Sequence, residues 1–70
     1  MRELHIASCV VRTLPPRVDD IAGAIATRTS CEVFTTDPRG KLVVLVEGNS
    51  TGELLDQIDV IRAFEGVVSI

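Results

Sequence analysis

The chain has no Trp and no Tyr, and only two Phe, two Cys, one His and one Met among its seventy residues. Each scarcity removes a class of function. Without aromatic platforms for base stacking, and with a net charge of −3 that repels phosphate backbones, nucleic-acid binding is disfavoured. Cys9 and Cys31 stand 22 positions apart with no Cys-x-x-Cys, so the closely spaced ligand set of a zinc site is missing. The longest unbroken apolar run, Leu42 to Val46, is five residues, against the roughly 20 a membrane span needs. The start, Met1-Arg2-Glu3-Leu4-His5, lacks the apolar core of a secretory leader, which points to the cytoplasm and argues against a disulfide. Both thiols are therefore expected as free, buried or half-buried apolar groups that carry no metal.

What is present is an ordinary globular composition, 46% apolar and 24% charged, which argues against disorder. A chain of this length is expected to form one domain over residues 1–70, with a core too small to surround a buried active site.

His5 to Arg12 mixes β-branched and small residues and stops at Leu14-Pro15-Pro16, which reads as a strand. The prolines suit the first turn of a helix in which Val18, Ile21, Ala22 and Ile25 form one apolar stripe. Asp19 and Asp20 favour its start and Arg28 its last turn. Cys31 to Thr36 is a second strand, Asp37-Pro38-Arg39-Gly40 a turn, and Lys41 to Glu47 a third strand apolar enough to be central. Ser50 and Glu53 have the spacing of a capping box ahead of a second helix, with Leu54, Leu55, Ile58, Ile61 and Phe64 turned inward. Gly66 ends it, and Val67 to Ile70 is a short fourth strand.

The order β-α-β-β-α-β, with right-handed crossovers, predicts an α+β ferredoxin-like sandwich. Its antiparallel sheet runs 4-1-3-2, with both helices on one face and the other face bare. If Thr36 pairs with Lys41, alternation places Cys31, Val33, Thr35, Leu42, Val44 and Val46 under the helices. Glu32, Phe34, Thr36, Lys41, Val43, Leu45 and Glu47 then fall on the bare side. In the first strand both alternating sets are compatible with burial. Turning Ile6, Ser8 and Val10 toward the helices leaves His5, Ala7, Cys9 and Val11 bare. The expected binding surface is then an apolar trough of Ala7, Cys9, Val11, Phe34, Val43 and Leu45 rimmed by Glu32 and Glu47. A carboxylate pair of this kind suits the planar fork of a guanidinium.

Nothing argues for catalysis. Asp19 and Asp20 are adjacent on a helix and do not face each other. His5 has no nucleophile to serve, and the glycines are isolated turn and cap positions rather than a phosphate loop.

The opening strand His5-Ile6-Ala7-Ser8-Cys9-Val10-Val11, the hairpin from Cys31-Glu32-Val33 through Asp37 and Gly40 to Leu42-Val43-Val44-Leu45-Val46-Glu47, and the close Glu65-Gly66-Val67 together resemble the NapD family. These are small cytoplasmic assembly chaperones of periplasmic nitrate reductase. The resemblance spans about Leu4 to Ile70. It implies a ferredoxin-like fold, no cofactor, no enzymatic activity, and binding of the twin-arginine signal peptide of the catalytic-subunit precursor until its cofactor is loaded. A monomer or weak homodimer without stable membrane insertion is expected. Relatives run further past the last strand, and a four-residue fourth strand is expected to leave part of the first strand's edge unpaired.

A second reading is an amino-acid-sensing oligomerisation module, like the ACT domains or the effector domains of feast/famine regulators, which share the fold. The absence of an attached DNA-binding or catalytic domain favours the chaperone. A metallochaperone shares the topology but needs the paired cysteines this chain lacks.

Overall fold

A computed structural model describes residues 4–70. The leader-free start expected at Met1–Glu3 lies outside the described residues. The elements follow the expected order: β1 (His5–Thr13), α1 (Val18–Ala26), β2 (Cys31–Asp37), β3 (Lys41–Gly48), α2 (Thr51–Arg62) and β4 (Val67–Ser69). The four strands form one antiparallel sheet in the order β2-β3-β1-β4, which is the predicted 4-1-3-2 read from the other edge.

Leu14 is held extended ahead of Pro15, as the residue before a proline prefers, and Pro15–Arg17 form a single 3-10 turn that feeds α1. Val18, Ile21 and Ile25 are the buried stripe of α1, with Asp19 and Asp20 at its positive end. The helix closes at Ala26, so Arg28 lies beyond it rather than in its last turn. Its guanidinium donates instead to Gln57 Oε1 at 2.7 and 3.1 Å, tying the end of α1 to α2.

At the start of α2 the Ser50 hydroxyl accepts from the Glu53 amide at 3.2 Å. The Glu53 carboxylate accepts from the N–H of Asn49, one residue further back than a capping box places it. Ile61 is buried, and Leu54, Ile58 and Phe64 are half-buried. Leu55, expected to point inward, is 56% exposed, because one step from Leu54 rotates a side chain about 100° off the stripe.

Both helices cover one face of the sheet. Val18, Ile21, Ile25 and Ile61 meet Val11, Leu42, Val44 and Val46 in the core. The central strand β3 obeys the expected alternation. The β2–β3 hairpin does not pair as expected: Asp37, not Thr36, lies opposite Lys41, and Thr36 lies opposite Leu42. A bulge between Val33 and Thr35 then restores the expected pairing of Cys31, Glu32 and Val33. Thr35 and Thr36 consequently exchange faces, while Glu32 stays on the open one.

The first strand is reversed relative to expectation. Ala7, Cys9 and Val11 lie opposite Val46, Val44 and Leu42, and so sit under the helices together with His5; Val11 has no exposed surface. Ile6, Ser8, Val10 and Arg12 lie opposite Glu47, Leu45, Val43 and Lys41 on the open face. The small side chains of Ala7 and Cys9 do not form an outer trough; they occupy the covered side, where little bulk lets layers pack closely. β4 pairs only with Arg12 and Thr13, so the outer edge of β1 from His5 to Val11 has no pairing to β4.

The turn between β2 and β3 carries its own electrostatics. The Asp37 carboxylate accepts from the Arg39 amide at 2.9 Å and from its guanidinium at 2.8 Å. These bonds hold the Asp37 carboxyl down to about 2 from 3.8, with the Arg39 side-chain bond the largest cause. A carboxyl depressed on folding stabilises the native state above its unfolded value, and that contribution is lost as pH falls through the folded one. The hairpin should therefore loosen between about pH 4 and pH 2, read from the amide shifts of Arg39 and Gly40. In Asp37→Asn that step should be absent.

Candidate binding face

The open face is built by three strands. β1 contributes Ile6, Ser8, Val10 and Arg12; β3 contributes Lys41, Val43, Leu45 and Glu47; β2 contributes Glu32, Thr35 and Asp37. Its middle is apolar, with Ile6 62% and Val10 42% exposed beside half-buried Val43 and Leu45. Phe34, 70% exposed, is the extra residue of the bulge, so alternation does not assign its face.

Glu32 and Glu47 lie at one end. Glu32 pairs with Leu45 and Glu47 with Ile6, a diagonal relation on neighbouring strands that sets their side chains about 7–8 Å apart. Both line a cavity of about 340 Å³ with Ile6, Ser30, Cys31 and Leu45. Both are exposed, and no ion pair among the described residues engages either. Two carboxylates across a mouth of this width can accept the N–H groups of one guanidinium, or one from each of two neighbouring arginines.

Of the residues expected to bind, Glu32, Val43, Leu45 and Glu47 come together here. Ala7, Cys9 and Val11 do not; their places in the face are taken by Ile6 and Val10. The signal that assigns the strand correctly is Arg12. It belongs to the even-numbered set, and a charged side chain under two helices would be buried without a partner, whereas the odd-numbered set from Ala7 to Thr13 carries no charge.

Cys9 and Cys31 are free and half-buried. Burial raises both thiols above their ordinary value, with the neighbouring thiol adding to the effect at Cys9 and Arg28 opposing it at Cys31. Neither is a poised nucleophile. No group of three potential metal ligands occurs among the described residues, and none of their helices is long and apolar enough to cross a membrane.

The family model described as NapD protein matches residues 4–70. The chain belongs to the NapD family. Chaperone NapD of Escherichia coli (strain K12) is 33% identical over 67 residues, covering 94% of this chain and 77% of that protein. Chaperone NapD of Paracoccus pantotrophus is 38% identical over 68 residues, covering 97% of this chain and 60% of the relative. The solution structure of the E. coli Tat proofreading chaperone protein NapD superposes with a TM-score of 0.91 at 32% identity, over 97% of this chain and 73% of that one. NapD proteins are chaperones and not enzymes.

Proposed function

We propose that this chain is a cytoplasmic chaperone that holds the twin-arginine signal peptide of the periplasmic nitrate reductase precursor on its open sheet face and delays export. One observation carries the reading: an apolar strip of exposed Ile6 and Val10 and half-buried Val43 and Leu45 ends in a carboxylate-lined cavity at Glu32 and Glu47. A signal peptide of this kind offers two adjacent arginines followed by an apolar stretch. The arginines match the carboxylates and the stretch matches the strip. Burial of the strip supplies affinity; the charges supply orientation and discrimination. The name of the E. coli relative, a Tat proofreading chaperone, supports the same reading.

Titration with a synthetic twin-arginine signal peptide tests it. Binding should perturb the amides of Ile6, Val10, Val43 and Leu45 and weaken as salt rises. Replacing both glutamates, Glu32→Gln with Glu47→Gln, should lower affinity by roughly threefold to thirtyfold while leaving the melting curve unchanged. No perturbation by the peptide would remove the reading altogether; unchanged affinity in the double variant would remove the glutamates from it.

A further inference from the structure

The open face is charged at both ends, with opposite signs. At the end away from Glu32 and Glu47, Arg12 and Lys41 lie directly opposite each other on β1 and β3, and both are exposed. Like charges in directly opposed positions repel and cost stability. Asp37 is the partner of Lys41 on β2, but the Arg39 guanidinium already holds its carboxylate at 2.8 Å. On the open face, Asp37 is thus the carboxylate set against Arg12 and Lys41, and it is already engaged by Arg39. No ion pair among the described residues engages Arg12 or Lys41. A cavity of about 400 Å³ opens beside Lys41, lined by Thr35, Thr36, Asp37, Pro38 and Val43.

We propose that Arg12 and Lys41 receive an anionic group of the bound signal peptide and thereby fix its direction. The proposal rests on the peptide-binding reading above and deepens it. The peptide lies along the strands, parallel to β1. Its arginine end sits over Glu32 and Glu47, and an Asp or Glu downstream of its apolar stretch sits over Arg12 and Lys41. Ile6 to Arg12 spans six residue steps, about 20 Å, which about 13 helical or six extended residues would cover. A peptide laid in the opposite sense would put cation on cation and anion on anion. A face with opposite charges at its ends could also pair with a second copy of this chain in antiparallel fashion. Three strands by 20 Å offer roughly 300 Å² per partner, however, against about 800 Å² per partner in a stable complex of two proteins.

The test uses two synthetic peptides with the same arginine pair and apolar stretch, one with an acidic residue after the stretch and one without. Arg12→Gln combined with Lys41→Gln should weaken the acidic peptide by about threefold to tenfold and leave the other unchanged. On the unsubstituted protein, a spin label beside the arginines should broaden the amides of Ile6, Glu32 and Glu47, and one at the far end those of Arg12 and Lys41. Equal loss for both peptides, or the reverse broadening pattern, overturns the proposal while leaving the chaperone reading intact. Should the double variant fail to fold, the broadening pattern alone decides. Absence of peptide binding to the unsubstituted protein overturns both. Concentration-dependent dimerisation that competes with the acidic peptide and is abolished by the double variant would assign the corner to a second copy instead.

Discussion

Val11→Asp should leave no cooperative unfolding transition, whereas Val10→Asp, one residue away, should melt close to the parent protein. Val11 has no exposed surface and packs with Leu42, Val44 and Ile61. A carboxylate there would be buried without a partner at a cost of several kcal/mol, about as much as a small core of this kind supplies in total. Val10 faces the opposite way and is 42% exposed, so the same substitution costs roughly 1 kcal/mol or less in stability. Its effect should appear instead in binding, with peptide affinity reduced at least about tenfold because the charge falls in the middle of the apolar strip. Far-UV circular dichroism with thermal melts reads the first outcome and titration the second. A folded Val11→Asp alongside an unfolded Val10→Asp would reverse the assignment of β1 and dissolve the binding face described here.

The second large effect is expected at the hairpin turn. Gly40 has φ of +109°, where side chains are rarely tolerated, and a Cβ built on it would stand 2.4 Å from the Thr13 carbonyl oxygen. That neighbour is backbone, and it is fixed: the Thr13 N–H donates to the Gly40 carbonyl at 2.8 Å. Gly40→Ala therefore combines backbone strain with a clash that cannot relax through a side chain, and should destabilise by about 2–4 kcal/mol. Gly23→Ala supplies the contrast. Gly23 lies inside α1 with nothing within 4 Å of an added Cβ, so the same chemical change should stabilise by about 0.5–1 kcal/mol. Denaturant midpoints of the two variants should thus move in opposite directions.

The elements were legible because their ends are written in local chemistry: prolines after β1, a hydroxyl and a carboxylate at the start of α2, and glycine in the turns. Which way β1 faces was not, because Ile6-Ala7-Ser8-Cys9-Val10-Val11 is apolar or small on both alternations and periodicity alone cannot choose. Size misled as well: Ala7 and Cys9 look like the floor of an outer groove, yet they occupy the side that two helices must approach. At the hairpin, a strand one residue longer than expected and a bulge one residue wide offset each other. Glu32 therefore lies on the expected face although the Thr36–Lys41 pairing from which that face follows does not form, while Thr35 and Thr36 exchange faces. The cationic corner is hidden for the same reason, since turning Ile6, Ser8 and Val10 toward the helices would by alternation carry Arg12 with them and away from Lys41. Burial cost, applied to Arg12, was the missing criterion.

The junction Thr13–Leu14 has a consequence for how the molecule is assembled in time. The Thr13 N–H donates to the Gly40 carbonyl and the Leu14 N–H to that of Gly66, so two adjacent amides bind segments that arrive from distant parts of the chain. The first bond closes only once the hairpin has docked on β1 and the second only once the second crossover is in position, and loops of this length are entropically slow to close. The corner is therefore expected to set late in folding, and its two amides to exchange with solvent only when the long-range architecture comes apart, which native-state hydrogen exchange reads.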